Sequence, residues 1–150
     1  AELMDIRSVR VQTTRGEFII ELFPDLAPLA VGTFVDRVKS GVYDGVSFYS
    51  VEPGFIAAIG VGVGASPRAT TGSLPEEINP QPHLQGTVSM SGSGPDTDAS
   101  QWFITLSPQP ILDGRYTVFG QVIAGAQYLQ AIQPGDVLLG FQLEEVATTD

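Results

Sequence analysis

The sequence predicts a mainly β domain: an eight-stranded closed antiparallel β-barrel capped by two α-helices, occupying residues 1–150 as one unit. Three observations predict it. About eight short apolar or alternating segments succeed one another, separated by turn residues, and strands of that length and number escape exposed edges by closing on themselves. Only two stretches carry helical spacing, and no linker or 20–50-residue repeat divides the chain. The length of 150 residues, 43% of them hydrophobic, suits one core.

The elements follow in order. Residues 9–13 alternate as a strand, Thr14-Arg15-Gly16 turns the chain, and residues 17–22 return as the second arm of a hairpin. A helix starts near Ala27, with Pro28 in its first turn, where a missing N–H costs nothing. Val31, Phe34, Val35 and Val38 fall on one face of it, and Gly41 stands where a C-terminal glycine belongs. Residues 47–51 and 55–61 read as strands around Glu52-Pro53-Gly54. Residues 62–86, rich in Gly, Pro, Ser and Thr, form a long loop, and 87–90 a short strand. After a polar loop over 91–100, residues 102–106 form a buried strand and 112–115 a turn. A strand over 117–122 follows, then a short helix over 125–133 ended by Pro134-Gly135, and a last strand within 138–146.

Composition excludes several functions. Seventeen acidic residues against seven Lys and Arg give a net charge of −10, which disfavours nucleic acid and anionic membrane surfaces. No cysteine means no thiol nucleophile, disulfide or thiolate metal site. No apolar run reaches the length of a membrane helix, so no membrane insertion is expected. The start at Ala1-Glu2, without Met, reads as a processed chain or as a fragment of a longer one; a cut after a small residue would suit export, an arbitrary boundary explains the start as well, and nothing else indicates a compartment.

Isolated motifs carry little. Gly60-Val61-Gly62-Val63-Gly64-Ala65 matches a dinucleotide fingerprint, but no helix opens behind it. His83, the one histidine, lies among turn residues and reads as an exposed loop side chain. Asp96 and Asp98 lack the other ligands of a calcium loop, and Glu76-Glu77 reads as a pair facing water. No metal site is assigned.

Three linked segments say more. Phe48-Tyr49-Ser50-Val51-Glu52-Pro53-Gly54-Phe55-Ile56 resembles the F-H-R-V-x-x-G-F strand pair of cyclophilins. Gly86-Thr87-Val88-Ser89-Met90, followed by Ser100-Gln101-Trp102-Phe103-Ile104-Thr105, resembles their G-x-L-S-M-A and S-Q-F-F-I core. Leu112-Asp113-Gly114-Arg115-Tyr116-Thr117-Val118-Phe119-Gly120 resembles L-D-G-K/R-H-x-V-F-G. Order and spacing agree over roughly residues 9–146.

The resemblance implies the same capped barrel, a proline-peptide groove, a monomer, and peptidyl-prolyl cis–trans isomerase chemistry without a cofactor. It places Phe55, Ile56, Phe103 and Leu112 in a proline pocket, Gln101 and Tyr116 on the substrate side, and Ser50 at the position of the catalytic Arg. In the family that Arg donates a hydrogen bond to the proline nitrogen as amide resonance is lost. Here Ser50 is short and neutral, Ala58 replaces a substrate-binding Gln, Gly92 stands at a loop Asn, and Tyr116 replaces a His. Arg68 and Arg115 are the only arguable substitute cations. The expectation is weak or lost isomerase activity on X–Pro segments. Its rival is a non-catalytic proline-peptide or scaffolding module; a small-molecule barrel is a remote third.

Overall fold

A computed structural model describes residues 3–60, 73–74, 77–91, 97–98 and 101–148. Of the sequence features above, residues 61–65 of the glycine run, Arg68, Glu76, Gly92 and Asp96 lie outside these residues. Ten strands are described: β1 (Leu3–Thr13), β2 (Gly16–Leu22), β3 (Phe48–Glu52), β4 (Ile56–Gly60), β5 (Ser73–Leu74), β6 (Thr87–Met90), β7 (Thr97–Asp98), β8 (Gln101–Thr105), β9 (Val118–Ala124) and β10 (Leu138–Thr148). Eight form one antiparallel sheet in the order β10-β1-β2-β9-β6-β8-β4-β3, and β5 pairs with β7 apart from it.

The sheet curls into a barrel wall that is not closed by a continuous ladder. β10 and β3 meet through a single bridge, Ser47–Val137, flanked by bonds such as Phe48 N–H to the Asp136 carbonyl at 2.9 Å and Leu138 N–H to the Val46 carbonyl at 2.8 Å. Gly45 (φ 80°) and Gly135 (φ 92°) turn the backbone on either side of this seam, so neither strand extends across it. Full closure was therefore an overstatement, although the strand count and antiparallel sense hold.

Helix α1 (Pro28–Ser40) closes one end of the curl. The residues that its spacing singles out, Val31, Phe34, Val35 and Val38, are all buried. Phe34 reaches into the interior, with its ring 5.3 Å from Trp102, 5.2 Å from Phe119 and 5.7 Å from Tyr43. Ala27 provides no side-chain cap and the first turn holds no acid. The Glu77 carboxylate fills that role, accepting the Leu29 and Ala30 N–H groups at 2.9 and 2.8 Å. Glu77 is thus a helix cap rather than half of a solvated pair. Gly41 ends the helix in the left-handed region at φ 78°.

The second predicted helix is a 3₁₀ helix, Ala126–Ala131, instead of an α-helix. Its one fully buried side chain is Leu129, and i→i+3 bonds such as Tyr128 N–H to the Gly125 carbonyl suffice to seat it. A further 3₁₀ turn, Pro110–Leu112, precedes the turn at 113–115. Inside the wall, Val9, Val11, Phe18, Ile20, Ala57, Ile59, Val88, Met90, Trp102, Ile104 and Phe119 are essentially inaccessible. Side chains fill the interior, as in small barrels without a ligand cavity.

Candidate functional site

Strand alternation sends neighbouring residues of β4, β6 and β8 to opposite faces. Ala57, Ile59, Val88, Met90, Trp102 and Ile104 face the core. The alternate positions form an outward row across four strands: Ser50 pairs with Ala58, Ala58 with Phe103, and Phe103 with Ser89. Ile56 and Thr105 pair one step along. The candidate site is built on this outward row.

Two surface segments wall it. The β3–β4 connection, Glu52-Pro53-Gly54-Phe55, carries Pro and then Gly at its centre, with Gly54 at φ 74° and Phe55 N–H bonded to the Glu52 carbonyl at 2.9 Å. The Gly54 carbonyl accepts from Ser107 Oγ and from Gln109 Nε2 at 3.1 Å, and the Phe55 carbonyl from Leu106 N–H at 2.7 Å. Phe55 is thereby fixed at one rim. Opposite it, the 3₁₀ turn and the following residues bring up Leu112 and Tyr116.

Between them lies a cavity of about 220 Å³ lined by Phe55, Ile56, Ala58, Ser91, Phe103, Leu112 and Tyr116. Five of the seven predicted site residues therefore meet around one cavity. Ala58 and Ser91 complete it; both are small and leave no hydrophobic signal in the sequence. Ser50 and Gln101 are not part of the lining. Ser50 is half-buried on β3, beside Ala58 across the ladder, and Gln101 is half-buried on β8, paired with Gly60.

Among the described residues no cation lines the cavity. Arg10 is bonded to Glu17 and Glu144, Arg15 to Asp136, and Arg7 lies 3.8 Å from Asp25. Arg115 is exposed and, unlike its neighbour Tyr116, does not reach the lining. The cavity can take a compact apolar group, and among the described residues its lining includes two hydroxyl-bearing side chains, Ser91 and Tyr116, and no cation.

His83 corrects the sequence reading. Its side chain is fully buried, not exposed. Nδ1 lies 3.0 Å from Asp113 Oδ1, and Nε2 lies 2.8 Å from Ser89 Oγ. A carboxylate only accepts, so Nδ1 carries the proton; in the neutral ring Nε2 then accepts the Ser89 hydroxyl. The backbone N–H of His83 also donates to Asp113 Oδ1, at 2.7 Å. That bond, with the ring's own bond and proximity, outweighs the cost of burial and holds the Asp113 carboxyl below its usual range. The ring stacks on Phe103 at 6.1 Å and 10°, and Phe103 meets Tyr116 edge-on at 5.5 Å and 88°. Local sequence misses this because the covering segment comes from 30 residues downstream.

Comparisons with known proteins converge. The family model described as cyclophilin type peptidyl-prolyl cis-trans isomerase/CLD matches residues 8–145. The chain is 39% identical over 126 residues to peptidyl-prolyl cis-trans isomerase B of Bacillus subtilis, covering 83% of this chain and 88% of that one. A solved cyclophilin type peptidyl-prolyl cis-trans isomerase of Cryptosporidium parvum matches with a TM-score of 0.81 at 28% identity, covering 93% of this chain and 98% of that chain. The structure of that protein in the presence of the dipeptide Ala-Pro matches with a TM-score of 0.80 at 28% identity, covering 91% and 98%.

Proposed function

Because this chain belongs to the cyclophilin-type peptidyl-prolyl cis–trans isomerase family, we propose that its cavity receives the proline ring of X–Pro peptide segments and isomerises them slowly. The observation that carries this reading is an intact apolar cavity without a cation among the described residues around it.

Rotation about a peptide bond must overcome a barrier of about 18–20 kcal/mol, which arises from amide resonance. For X–Pro bonds the two isomers are close in energy, and uncatalysed exchange takes tens to hundreds of seconds. A catalyst needs neither nucleophile nor metal. It must hold the proline, hold the flanking chain, and bind the twisted amide better than the planar one. Phe55, Ile56, Phe103 and Leu112 supply the first grip, by burying the ring between apolar walls. The Ser91 and Tyr116 hydroxyls and Gln101, on the same outward face, serve the flanking peptide.

Preference for the twisted state is the weak part. As resonance is lost the proline nitrogen becomes more basic and gains from a strong donor. Ser50 is neutral, short and one position away from the cavity, beside Ala58. A missing charge-assisted hydrogen bond costs about 1.5–3 kcal/mol, so turnover is roughly 10- to 200-fold below that of a cyclophilin carrying the Arg.

The test is a proline isomerisation assay on an Ala–Pro tetrapeptide. A slow rate above buffer, rising on Ser50→Arg with Ala58→Gln, supports slow catalysis. A wild-type rate equal to buffer removes the enzymatic reading and leaves the second one, a module that binds proline segments without turning them over. The preserved apolar cavity beside a lost cation is what favours that alternative. If NMR titration also shows no shift at Phe103 or Tyr116, both readings fail.

A further inference from the structure

We propose that His83 is a positioning residue of the groove: through Asp113 it holds the turn bearing Leu112 and Tyr116 in place against Phe103. The inference rests on the peptide-binding reading above and says what keeps that cavity in shape.

His83 itself is firmly placed. Gly86 N–H bonds the Thr105 carbonyl at 2.7 Å, Leu84 N–H bonds Thr87 Oγ1 at 2.8 Å, and the Thr105 hydroxyl donates to the Leu84 carbonyl. Gly86 makes this course possible: its φ is 82°, and a Cβ there would press on Val122 at 3.1 Å. The loop is thus tied to β6 and β8, which belong to the barrel wall.

The turn facing it is not so tied. No side chain of Pro110–Leu112 is fully buried, and Ile111 is 69% exposed. Apolar burial therefore does little to hold it, and its place depends on polar bonds. His83 provides three of these: its N–H and Nδ1 both bond Asp113 Oδ1, and its carbonyl accepts Gln109 N–H at 2.8 Å. One residue grips the turn at both ends. Its second ring nitrogen anchors to Ser89 on β6, and its face supports Phe103, the centre of the cavity floor.

Ser89, His83 and Asp113 are connected like a hydrolytic relay. Ser89 is wholly buried on the same face as Phe103, so no carbonyl carbon can reach its hydroxyl. The chain of bonds acts on position, not on a substrate bond.

The test compares Asp113→Ala with Asp113→Asn, with His83→Leu removing the ring's part of the same link. Each variant is followed by its unfolding midpoint, by the aromatic NMR resonances of Phe103 and Tyr116, and by titration with an Ala–Pro tetrapeptide. Asp113→Ala keeps every ring and the bonds at Gln109 but frees the Asp113 end of the turn, beside Leu112 and Tyr116. Its Tyr116 and Phe103 resonances move towards motionally averaged values, and the peptide Kd rises about tenfold, the size of one lost charge-assisted bond. Asp113→Asn keeps an accepting oxygen and stays within about twofold of wild type. His83→Leu, if folded, keeps both main-chain bonds to the turn and removes only the ring's, so its Phe103 and Tyr116 resonances and peptide Kd shift in the same direction as in Asp113→Ala without reproducing the full loss of the Asp113 link. Unchanged resonances and unchanged Kd in Asp113→Ala overturn the proposal. A wild type that binds no peptide defeats the binding reading instead, while the ring resonances still decide whether His83 positions the turn.

Discussion

Strand β8 shows two kinds of burial side by side. Trp102 and Ile104 point inward and are inaccessible because the curled sheet and α1 enclose them. Phe103 and Thr105 point outward, yet they are only 4% and 0% exposed. Their cover comes from returning segments: His83 stacks on Phe103, Tyr116 meets its edge, and the Leu84 carbonyl accepts the Thr105 hydroxyl. The inner face is thus a property of the sheet, and the outer face a property of two loops laid over it. Stability and groove shape can then be damaged separately, residue by residue along one strand.

The strongest break falls on the inner face. Trp102→Ala removes the largest inaccessible side chain, which packs on Phe34 and Tyr43. It should cost about 3–5 kcal/mol in urea unfolding, the usual range for an aromatic-to-alanine change in a core. A loss below about 1 kcal/mol would mean that the interior is not the main store of stability.

Leu112→Ala examines the outer face. Leu112 is half-buried and lines the cavity without entering the core. Affinity for an Ala–Pro tetrapeptide should fall about tenfold, while unfolding free energy changes by about 1 kcal/mol or less. Calorimetric titration beside denaturant melts measures both. Equal losses in the two would erase the distinction between the faces.

The same division explains what could be read from sequence. The hairpin of β1 and β2, the buried face of α1 and the core strands each leave a local period, because one continuous segment makes the whole contact. The apolar lining was legible for a different reason: Phe55, Ile56, Phe103, Leu112 and Tyr116 sit within motifs whose register is specific. What escaped depends on segments far apart in the chain. The burial of His83 needs Asp113, and the role of Glu77 needs helix N–H groups that lie 47 and 48 residues upstream of it. The seam at Ser47 and Val137 is a single bridge, too short to leave a period. Residues 126–131 have apolar spacing compatible with either helix type, and the i→i+3 bonds that make the segment 3₁₀, Tyr128 N–H to the Gly125 carbonyl and Ile132 N–H to the Leu129 carbonyl, leave no mark in it.

Glu77 offers a smaller break that bears on the loops. The segment that ends in His83 begins by capping α1, so it also contributes to the closed end of the barrel. Glu77→Ala should lower stability by about 1 kcal/mol, as loss of an N-terminal cap does, with little change in peptide affinity. Helix-specific amide exchange in the first turn of α1 should rise with it. A drop in affinity matching that of Leu112→Ala would show that the two ends of this segment are mechanically coupled.

Acid gives the smallest effect and separates the groove from the barrel seam. Asp113 is held below its usual pKa chiefly by the His83 N–H. Burial tends to raise Asp136, but bonds from Arg15 Nε, Gln133 N–H and Thr14 Oγ1 outweigh it, so this group is lowered as well. A carboxyl whose folded pKa is depressed contributes stability that is complete above the unfolded value and lost as pH falls through the folded one. The ordinary aspartate value is 3.8, so both contributions are intact above it and disappear below it. Acid also relieves the repulsion within a chain of net charge −10, which works in the opposite sense. Comparing each Asp→Asn variant with wild type cancels that common part. Below pH 3.8 the gap between wild type and Asp136→Asn should close in the unfolding midpoint, because Asp136 ties the β1–β2 turn to the seam. Asp136→Asn should leave peptide affinity as it was. Asp113 should show its closing gap on the outer face, in the Phe103 and Tyr116 resonances, since its partner there is His83. If both gaps appeared in the same observable, the outward face would share the seam's cooperativity, and β8 would not separate two independently held surfaces.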